Sequence, residues 1–188
     1  ADFRHMVDRF HAAGIEVLPP KSLHTLRKGK PPKTPATQAV IAPGTGLGHA
    51  SLIWAHDDRV INPSEAGHIE FAAKTELEER LRAHIAAIDD PARGFFNRCS
   101  YENIVSGRGI LNVYSFLTTA AGYKPCPLVE AADPRDKAGV VSQLGLKSAD
   151  PACTETLNLF VTALGRQAGN FTLAVLAQAG LYLGGVWN

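Results

Sequence analysis

A glycine-rich segment with one hydroxyl side chain lies between two apolar runs and is the first candidate for chemistry. It reads PGTGLG at residues 43–48, between the apolar residues 38–42 and 49–54. Glycines let backbone N–H groups approach a phosphate closely, and Thr45 adds a hydroxyl donor. A dinucleotide fingerprint needs a helix directly after the glycines, and a Walker A loop needs Gly-Lys-Ser/Thr, so neither is indicated. The segment predicts either a plain hairpin turn or a phosphate clamp between two antiparallel strands, with at least one glycine at positive φ.

A second segment, EAGHIEF at residues 65–71, places two carboxylates and a histidine in a predicted loop. Carboxylates accept hydrogen bonds from neighbouring sugar hydroxyls, and His68 is able to donate or accept another. No second His or Cys stands at a metal-ligand spacing, so the sequence indicates no metal site. By itself the segment also fits a surface turn with an incidental histidine.

A third segment, YENIVSGRG at residues 101–109, contains Glu102 and two glycines before an amphipathic pattern. An acidic side chain is stabilised near the positive end of a helix dipole, and glycines are common in the turn before a helix. Taken alone, this segment indicates no more than the start of a helix.

The composition is that of an ordinary globular protein and excludes several functional classes. The 188 residues are 45% hydrophobic and 20% charged, which rules out a disordered or collagen-like chain. A formal net charge of +1 predicts no strong attraction to nucleic acid or to anionic lipid. The uncharged run 167–188 contains Asn, Thr, Gln and several glycines, so it predicts a buried helix and strand rather than a membrane span.

The cysteines and the N-terminal region carry further expectations. Cys99, Cys126 and Cys153 are widely spaced and form no C-x-x-C pair, which predicts neither a zinc knuckle nor a disulfide framework and favours a reducing cytoplasm. No secretory signal is visible, and because residue 1 is not Met we expect further residues upstream. The Lys- and Pro-rich residues 21–37 lack interleaved aromatics, so a solvated linker or hinge-side loop is expected there.

Periodicity and helix-end signals predict the elements that position these segments. A short helix is expected over residues 3–13, and strands 38–42, 49–54 and 59–62 are expected to form a meander. Thr75 and Glu78 form a capping box for a helix that ends at residues 89–91. Further helices are predicted at 109–121, from Asp133-Pro134, from Asp150-Pro151 to Arg166 and at 170–179, before Gly180 and a buried strand at 181–186. Helices mixed with strands, with the last strand following a helix, predict an α/β fold.

Five segments in register resemble the bacterial-type glucokinase family of the actin-like sugar-kinase superfamily. Besides the three segments above, these are GRQAGN at residues 165–170 and LYLGGV at residues 181–186. The resemblance implies an actin-like, ribonuclease-H-like ATPase domain, mostly the large C-terminal lobe of a two-lobed sugar kinase. Residues 38–188 would then be that α/β lobe, incomplete at its C-terminus, and residues 1–37 a remnant of the small lobe with a hinge-side linker.

The resemblance also implies a reaction, the phosphorylation of glucose at its 6-hydroxyl with ATP and Mg²⁺ in the first step of glycolysis. The family's glucose-binding side chains are matched by Glu65, His68 and Glu102, although Ala66 stands where the family usually has Gly. Its phosphate loop is matched by Gly44, Thr45 and Gly46, and the strand end beside the nucleotide by Gly184 and Gly185. The implied partners are glucose and ATP, with another hexose, another phosphoryl donor and a homodimer left open.

Two features of the family lack a clear match in this sequence. Its Asp-x-Gly-Gly-Thr-Asn phosphate hairpin has no counterpart, and its Asn-Asp-Phe triplet, which carries the general base, corresponds only to Ala1-Asp2-Phe3. Asp2 is therefore the candidate base, and we expect the chain to be the interior of a glucokinase that acts slowly or not at all by itself. A catalytically inactive sugar-binding remnant or regulator is the alternative. In either case Glu65, His68 and Glu102 are expected to converge within roughly 8 Å, the span of a hexose held by hydrogen bonds.

Overall fold

A five-stranded sheet forms the centre of the protein. The computed structural model describes residues 16–17, 36–55, 58–88 and 98–185, so Asp2, the helix expected at 3–13 and the basic residues 21–35 lie outside the described residues. The strands are β1 (Glu16–Val17), β2 (Gln38–Pro43), β3 (Leu47–Ala55), β4 (Asp58–Ser64) and β5 (Leu181–Leu183). They lie side by side in the order β1-β5-β2-β3-β4.

The predicted meander is confirmed, and one later strand joins it in parallel. β2 and β3 pair antiparallel from Gln38 opposite Leu52 to Pro43 opposite Leu47, and β3 continues antiparallel into β4. β5 runs parallel to β2 on one side and to β1 on the other. Parallel neighbours end at the same edge of a sheet, so the glycine loop after β2 and the residues after β5 lie at one edge.

The helices cover the sheet and complete the predicted α/β fold. They are α1 (Glu76–Ile88), α2 (Gly107–Ala120), α3 (Pro127–Glu130), α4 (Lys137–Leu146) and α5 (Pro151–Ala174), with single 3₁₀ turns at Ala66–His68 and Tyr101–Asn103. The main hydrophobic core joins the sheet to α1, α2 and α5, and a smaller core joins α2, α3 and α4 to the start of α5. Within the described ranges, none of these helices combines the length and the apolar character that a membrane span requires.

Local capping contacts start three of these helices, and the first of them is the predicted capping box of Thr75 and Glu78. The Thr75 hydroxyl accepts a hydrogen bond from the Glu78 N–H at 3.2 Å, and the Glu78 carboxylate accepts one from the Thr75 N–H at 3.3 Å. The Ser106 hydroxyl accepts from the Gly109 N–H at the start of α2, and the Asp150 carboxylate accepts from the Cys153 N–H at the start of α5. These side chains satisfy N–H groups that a helix start otherwise leaves without a partner.

Two predictions about helices are wrong. The helices expected at 151–166 and 170–179 are one continuous helix, α5, which ends at Ala174. They are joined because a buried stripe, which includes Phe160, Leu164 and Phe171, runs past both interior glycines, Gly165 and Gly169. Burial of that stripe outweighs a glycine cost of about 1 kcal/mol each. The helix expected from Asp133-Pro134 begins later, because the Asp133 carboxylate accepts a hydrogen bond from the Arg135 N–H and forms a turn. That turn leads into α4, which begins at Lys137.

Two helix glycines are expected to respond oppositely to replacement by alanine. A Cβ at Gly169 in α5 would meet no atom within 4 Å, so Gly169→Ala should raise the free energy of unfolding by about 0.5–1 kcal/mol. A Cβ at Gly145 in α4 would lie 2.5 Å from the Cys153 carbonyl oxygen, so Gly145→Ala should lower it by about 1–3 kcal/mol. Urea unfolding of both variants measures the difference, and a shift in the same direction for both would contradict this packing of α4 on α5.

Candidate functional site

Backbone hydrogen bonds join the three polar segments that the sequence singles out. The Tyr101 N–H donates to the Ile69 carbonyl at 3.0 Å, and the Phe71 N–H donates to the Cys99 carbonyl at 2.7 Å. The Gly107 N–H, at the start of α2, donates to the Gly44 carbonyl at 2.8 Å. The segment 65–71, the segment 101–109 and the glycine loop therefore form one continuous surface beside the sheet edge.

The glycine loop closes the β2–β3 hairpin and presents free donors. Its Gly44 N–H donates to the Gly46 carbonyl at 2.8 Å, and the Thr45 side chain is exposed. In the described part of the chain, the N–H groups of Thr45 and Gly46 donate no hydrogen bond. Two N–H groups and a hydroxyl at the tip of a tight turn are typical of a phosphate-binding loop.

The prediction of a left-handed glycine in this turn is wrong. The described glycines with positive φ are Gly122, Gly180 and Gly185, and none of them lies in residues 44–48. The glycine at position 46 leaves room for a neighbouring side chain, since a Cβ there would lie 2.8 Å from Oε2 of Glu102. The absence of a side chain therefore lets a carboxylate approach the loop backbone.

Glu102 lies against the glycine loop and keeps one oxygen unused. Its Oε2 accepts a hydrogen bond from the Leu47 N–H at 2.9 Å. The 3₁₀ turn that carries it is held by Ser100, whose N–H donates to Oδ1 of Asn103 at 2.8 Å. Among the described residues, Oε1 of Glu102 accepts no hydrogen bond. One carboxylate oxygen is thus anchored on the protein, and the other is available to a ligand hydroxyl.

Glu65 and His68 lie at the two ends of the adjoining 3₁₀ turn. Glu65 Oε2 lies 3.6 Å from His68 Nε2, and the Glu65 side chain is 92% exposed against 39% for His68. Between them Ala66 and Gly67 are buried, and Gly67 packs so closely on the Leu47 carbonyl oxygen that a Cβ has no room. Leu47 therefore contacts both this turn and Glu102. That the side chains of Glu65, His68 and Glu102 converge within roughly 8 Å stays a prediction.

Gly184 and Gly185 follow β5 at the same edge of the sheet. The Gly184 N–H donates to the Ile41 carbonyl at 2.8 Å, and a Cβ at Gly184 would lie 3.5 Å from that of Ala42. Gly185 has φ +124°, which strains any residue with a side chain. Ligands of open α/β sheets bind outside the carboxyl ends of the strands, which is where these glycines and the loop after β2 lie.

A buried ion pair, which sequence reasoning missed, holds the segment after residue 71 on α5. Arg166 donates from Nη2 to Glu78 Oε1 at 3.0 Å, from Nη1 to Glu78 Oε2 at 3.1 Å, and from Nη1 to the Ala72 carbonyl at 2.8 Å. Burial alone would raise the pKa of Glu78, but the hydrogen bonds from Arg166 and from the Lys74 backbone outweigh it and lower this pKa. No local sequence pattern predicts this ion pair, because Arg166 and Glu78 are 88 residues apart in the chain.

Because of the Glu78 carboxylate, the free energy of unfolding is expected to fall at acidic pH. Because its pKa is lower in the folded protein, its contribution is present above the ordinary glutamate pKa of about 4.3 and is lost as pH falls through the folded value. In urea unfolding between pH 3 and 7, the free energy of unfolding should therefore change less with pH for Glu78→Gln than for the wild type. Glu79→Gln, on the exposed side of the same helix, is the control and should keep the wild-type slope.

The structure also brings together two cysteines that lie far apart in sequence. Ligand atoms of Cys126, Asp150 and Cys153 lie within 4.8 Å of one another in the smaller core. Burial, followed by the hydrogen bond to Asp150, raises the pKa of Cys153 to about 12, so this thiol is held protonated. Since Asp150 already caps α5, the cluster is accounted for by helix capping and packing.

Comparison with known proteins agrees with the family resemblance of the five sequence segments. A family model described as Glucokinase matches residues 5–187. The chain is 36% identical over 181 residues to a glucokinase of Brucella melitensis, a match that covers 96% of this chain and 48% of the relative. The chain thus spans about half the length of the curated relatives it matches.

Solved structures of the same fold are also found. A glucokinase from an Antarctic psychrotroph is 31% identical with a TM-score of 0.64, covering 84% of this chain and 44% of that one. A glucokinase from Balamuthia mandrillaris, solved in complex with glucose, is 26% identical with a TM-score of 0.68, covering 84% of this chain and 42% of that one. These matches confirm the sugar-kinase α/β fold that the five sequence segments predict.

Proposed function

Because this chain belongs to the glucokinase family, we propose that it forms part of an ATP-dependent hexose kinase that phosphorylates glucose at its 6-hydroxyl. The observation that carries the proposal is the meeting of the three polar segments at one sheet edge around Leu47. The acceptors and donors that a hexose and a phosphate need are supplied by a Glu–His pair, by one carboxylate oxygen and by loop N–H groups. Within the described ranges, that oxygen and those N–H groups have no hydrogen-bond partner.

In this proposal Glu65, His68 and Glu102 bind the hydroxyls of the sugar. Carboxylate oxygens accept from hydroxyl groups, and hydrogen bonds to charged groups are stronger than neutral ones. The support is geometric, because Glu102 and the Glu65–His68 turn both rest on Leu47. The glucose bound in the Balamuthia relative is consistent with the same substrate for this chain.

The nucleotide is assigned to the glycine-lined side of the same edge. Gly44, Thr45 and Gly46 would hold phosphate through backbone N–H groups and the Thr45 hydroxyl, and Gly184 and Gly185 would lie beside the nucleotide without a side chain in the way. The donors of this loop suit phosphate oxygens rather than a metal, so Mg²⁺ would enter on the nucleotide phosphates. When bound there, Mg²⁺ neutralises charge that develops on the phosphates.

Transfer needs a base for the sugar hydroxyl, and Asp2 is proposed for that role from its Asp-Phe context. The 6-hydroxyl oxygen forms a bond to the γ-phosphorus, the bond from that phosphorus to the β–γ bridging oxygen breaks, and the hydroxyl proton passes to the carboxylate. The products are glucose 6-phosphate and ADP. We place the reaction in the cytoplasm and in glycolysis. Residues 1–37 are proposed as a remnant of the small lobe with a hinge-side linker, residues 38–188 as the large lobe, and a homodimer is left open.

A coupled assay for glucose 6-phosphate, with ATP as donor, tests the proposal on the 188-residue chain and on any longer protein that contains it. Calorimetric titration with glucose is run beside it. Glucose binding together with phosphorylation supports the kinase, and binding without phosphorylation by either protein supports the sugar-binding regulator instead. Failure of both proteins to bind or phosphorylate glucose would overturn the proposal.

A further inference from the structure

A buried histidine and a buried glutamine connect the residue that holds Glu102, Leu47, with the turn that carries Glu65 and His68. His49 in β3 is 7% exposed, and Gln167 in α5 is fully buried. The His49 Nδ1 lies 3.1 Å from the Leu47 carbonyl oxygen, and its Nε2 lies 3.3 Å from the Gln167 amide nitrogen. The same amide nitrogen donates to the Ala66 carbonyl at 2.7 Å.

The proton positions in this network follow from the two carbonyl groups at its ends. A carbonyl oxygen only accepts, so His49 Nδ1 carries the proton that bonds Leu47, and Gln167 turns its amide nitrogen toward Ala66. The remaining N–H of that amide is then donated to the lone pair of His49 Nε2. The network therefore contains a neutral histidine protonated at Nδ1.

The surroundings of His49 favour this neutral form. Burial lowers the pKa of His49, against the smaller raising effects of the hydrogen bond to Leu47 and of the Glu65 charge. The Phe171 ring packs edge-on against the imidazole at 4.7 Å and restricts its rotation. Gln167 Oε1 is buried with no partner among the described residues, so the amide is oriented by its two donated bonds.

We propose that His49 and Gln167 are positioning residues of the hexose site, which fix the Leu47 and Ala66 carbonyls relative to each other. The inference rests on the proposed function. The N–H of Leu47 donates a hydrogen bond to the Glu102 carboxylate, and Ala66 lies next to Glu65 in the turn that leads to His68. A link between these two carbonyls sets the spacing between Glu102 and the Glu65–His68 turn. An apolar pair would fill the same core without joining the two segments.

Gln167→Leu tests the proposal because the leucine side chain has a similar volume and carries no N–H group. We expect the KM for glucose to rise about tenfold, with a smaller change in the KM for ATP, since the turn at 65–68 loses its anchor. Val141→Ala, in the smaller core, serves as the control for destabilisation, and Gln143→Leu, on the exposed face of α4, serves as the control for the chemical change. Both controls should keep the wild-type KM for glucose.

Imidazole nitrogen NMR on the wild-type protein supplies a readout that is independent of activity. His49 should show a neutral ring protonated at Nδ1, and a ring protonated at Nε2 would overturn the network and the inference. An unchanged glucose affinity in Gln167→Leu, measured as KM where the protein is active and by calorimetric titration where it only binds, would overturn the inference alone. A wild type that neither binds nor phosphorylates glucose would overturn the proposed function, and with it the positioning role.

Discussion

Glu102→Gln is expected to weaken glucose binding by about 10- to 150-fold, because hydrogen bonds to charged groups are worth about 1.5–3 kcal/mol. Glutamine keeps the shape of the side chain, and its carbonyl oxygen is able to accept from the Leu47 N–H as Oε2 of Glu102 does. The position of Oε1 then becomes an amide donor, and the acceptor for a sugar hydroxyl is lost. Calorimetric titration with glucose measures the change.

The matched control for this variant is Glu79→Gln on α1. Glu79 is a half-exposed carboxylate paired with Arg82, and exposed pairs contribute little. Glu79→Gln should leave glucose affinity unchanged, and both variants should unfold at similar urea concentrations. Equal glucose affinity in Glu102→Gln and Glu79→Gln would remove Glu102 from the sugar site.

Gly67→Ala is expected to damage both folding and sugar binding. The added methyl group would meet the Leu47 carbonyl, which is backbone and unable to rotate away. Overpacking against such a neighbour costs about 3 kcal/mol or more, which corresponds to a fall in Tm of roughly 6–12 °C for a chain of this size. Because Gly67 separates Ala66 from His68, the remaining folded protein should bind glucose more weakly.

Gly48→Ala is the control, because it shows how much any glycine-to-alanine change in this hairpin lowers the Tm. Gly48 lies one residue beyond Leu47 on β3, and a Cβ there would make ordinary contact with the Ala42 carbonyl oxygen at 3.7 Å. Differential scanning calorimetry of both variants should show a large loss for Gly67→Ala and little change for Gly48→Ala. A wild-type Tm and glucose affinity in Gly67→Ala would show that the turn at 66–68 does not rest on Leu47.

Much of the local structure is predictable because it depends on contacts between residues close in sequence. The β2–β3–β4 meander follows from short apolar runs separated by turn residues. The starts of α1 and α5 follow from Thr75 and Asp150, whose side chains bond N–H groups three residues later. The continuous α5 was not predictable in this way, because its two interior glycines suggest a break that the buried stripe around Leu164 overrides.

The sequence by itself determined which residue types are present in the five segments and the order in which they occur. The resemblance of these five segments, in this order, to the glucokinase family indicated a sugar kinase, whereas each segment alone also fits a plain turn or helix start. The sequence also determined Gly44–Gly48 as a turn between two antiparallel strands, although the positive φ expected for at least one glycine of this loop is not found. The assignments of Glu65, His68 and Glu102 to glucose, and of Asp2 to base catalysis, stay predictions.

Only the tertiary structure decided how these segments are held together. Gly67 is required by the close approach of the Leu47 carbonyl, and Gly46 leaves room for the Glu102 carboxylate; both of these groups come from other elements. The supports of the site join residues far apart in the chain, 88 positions for Arg166 with Glu78 and 118 for Gln167 with His49. Hydrophobic periodicity and capping signals report only neighbours within a few residues, whereas these contacts depend on how α5 packs against β3 and the turns beside it.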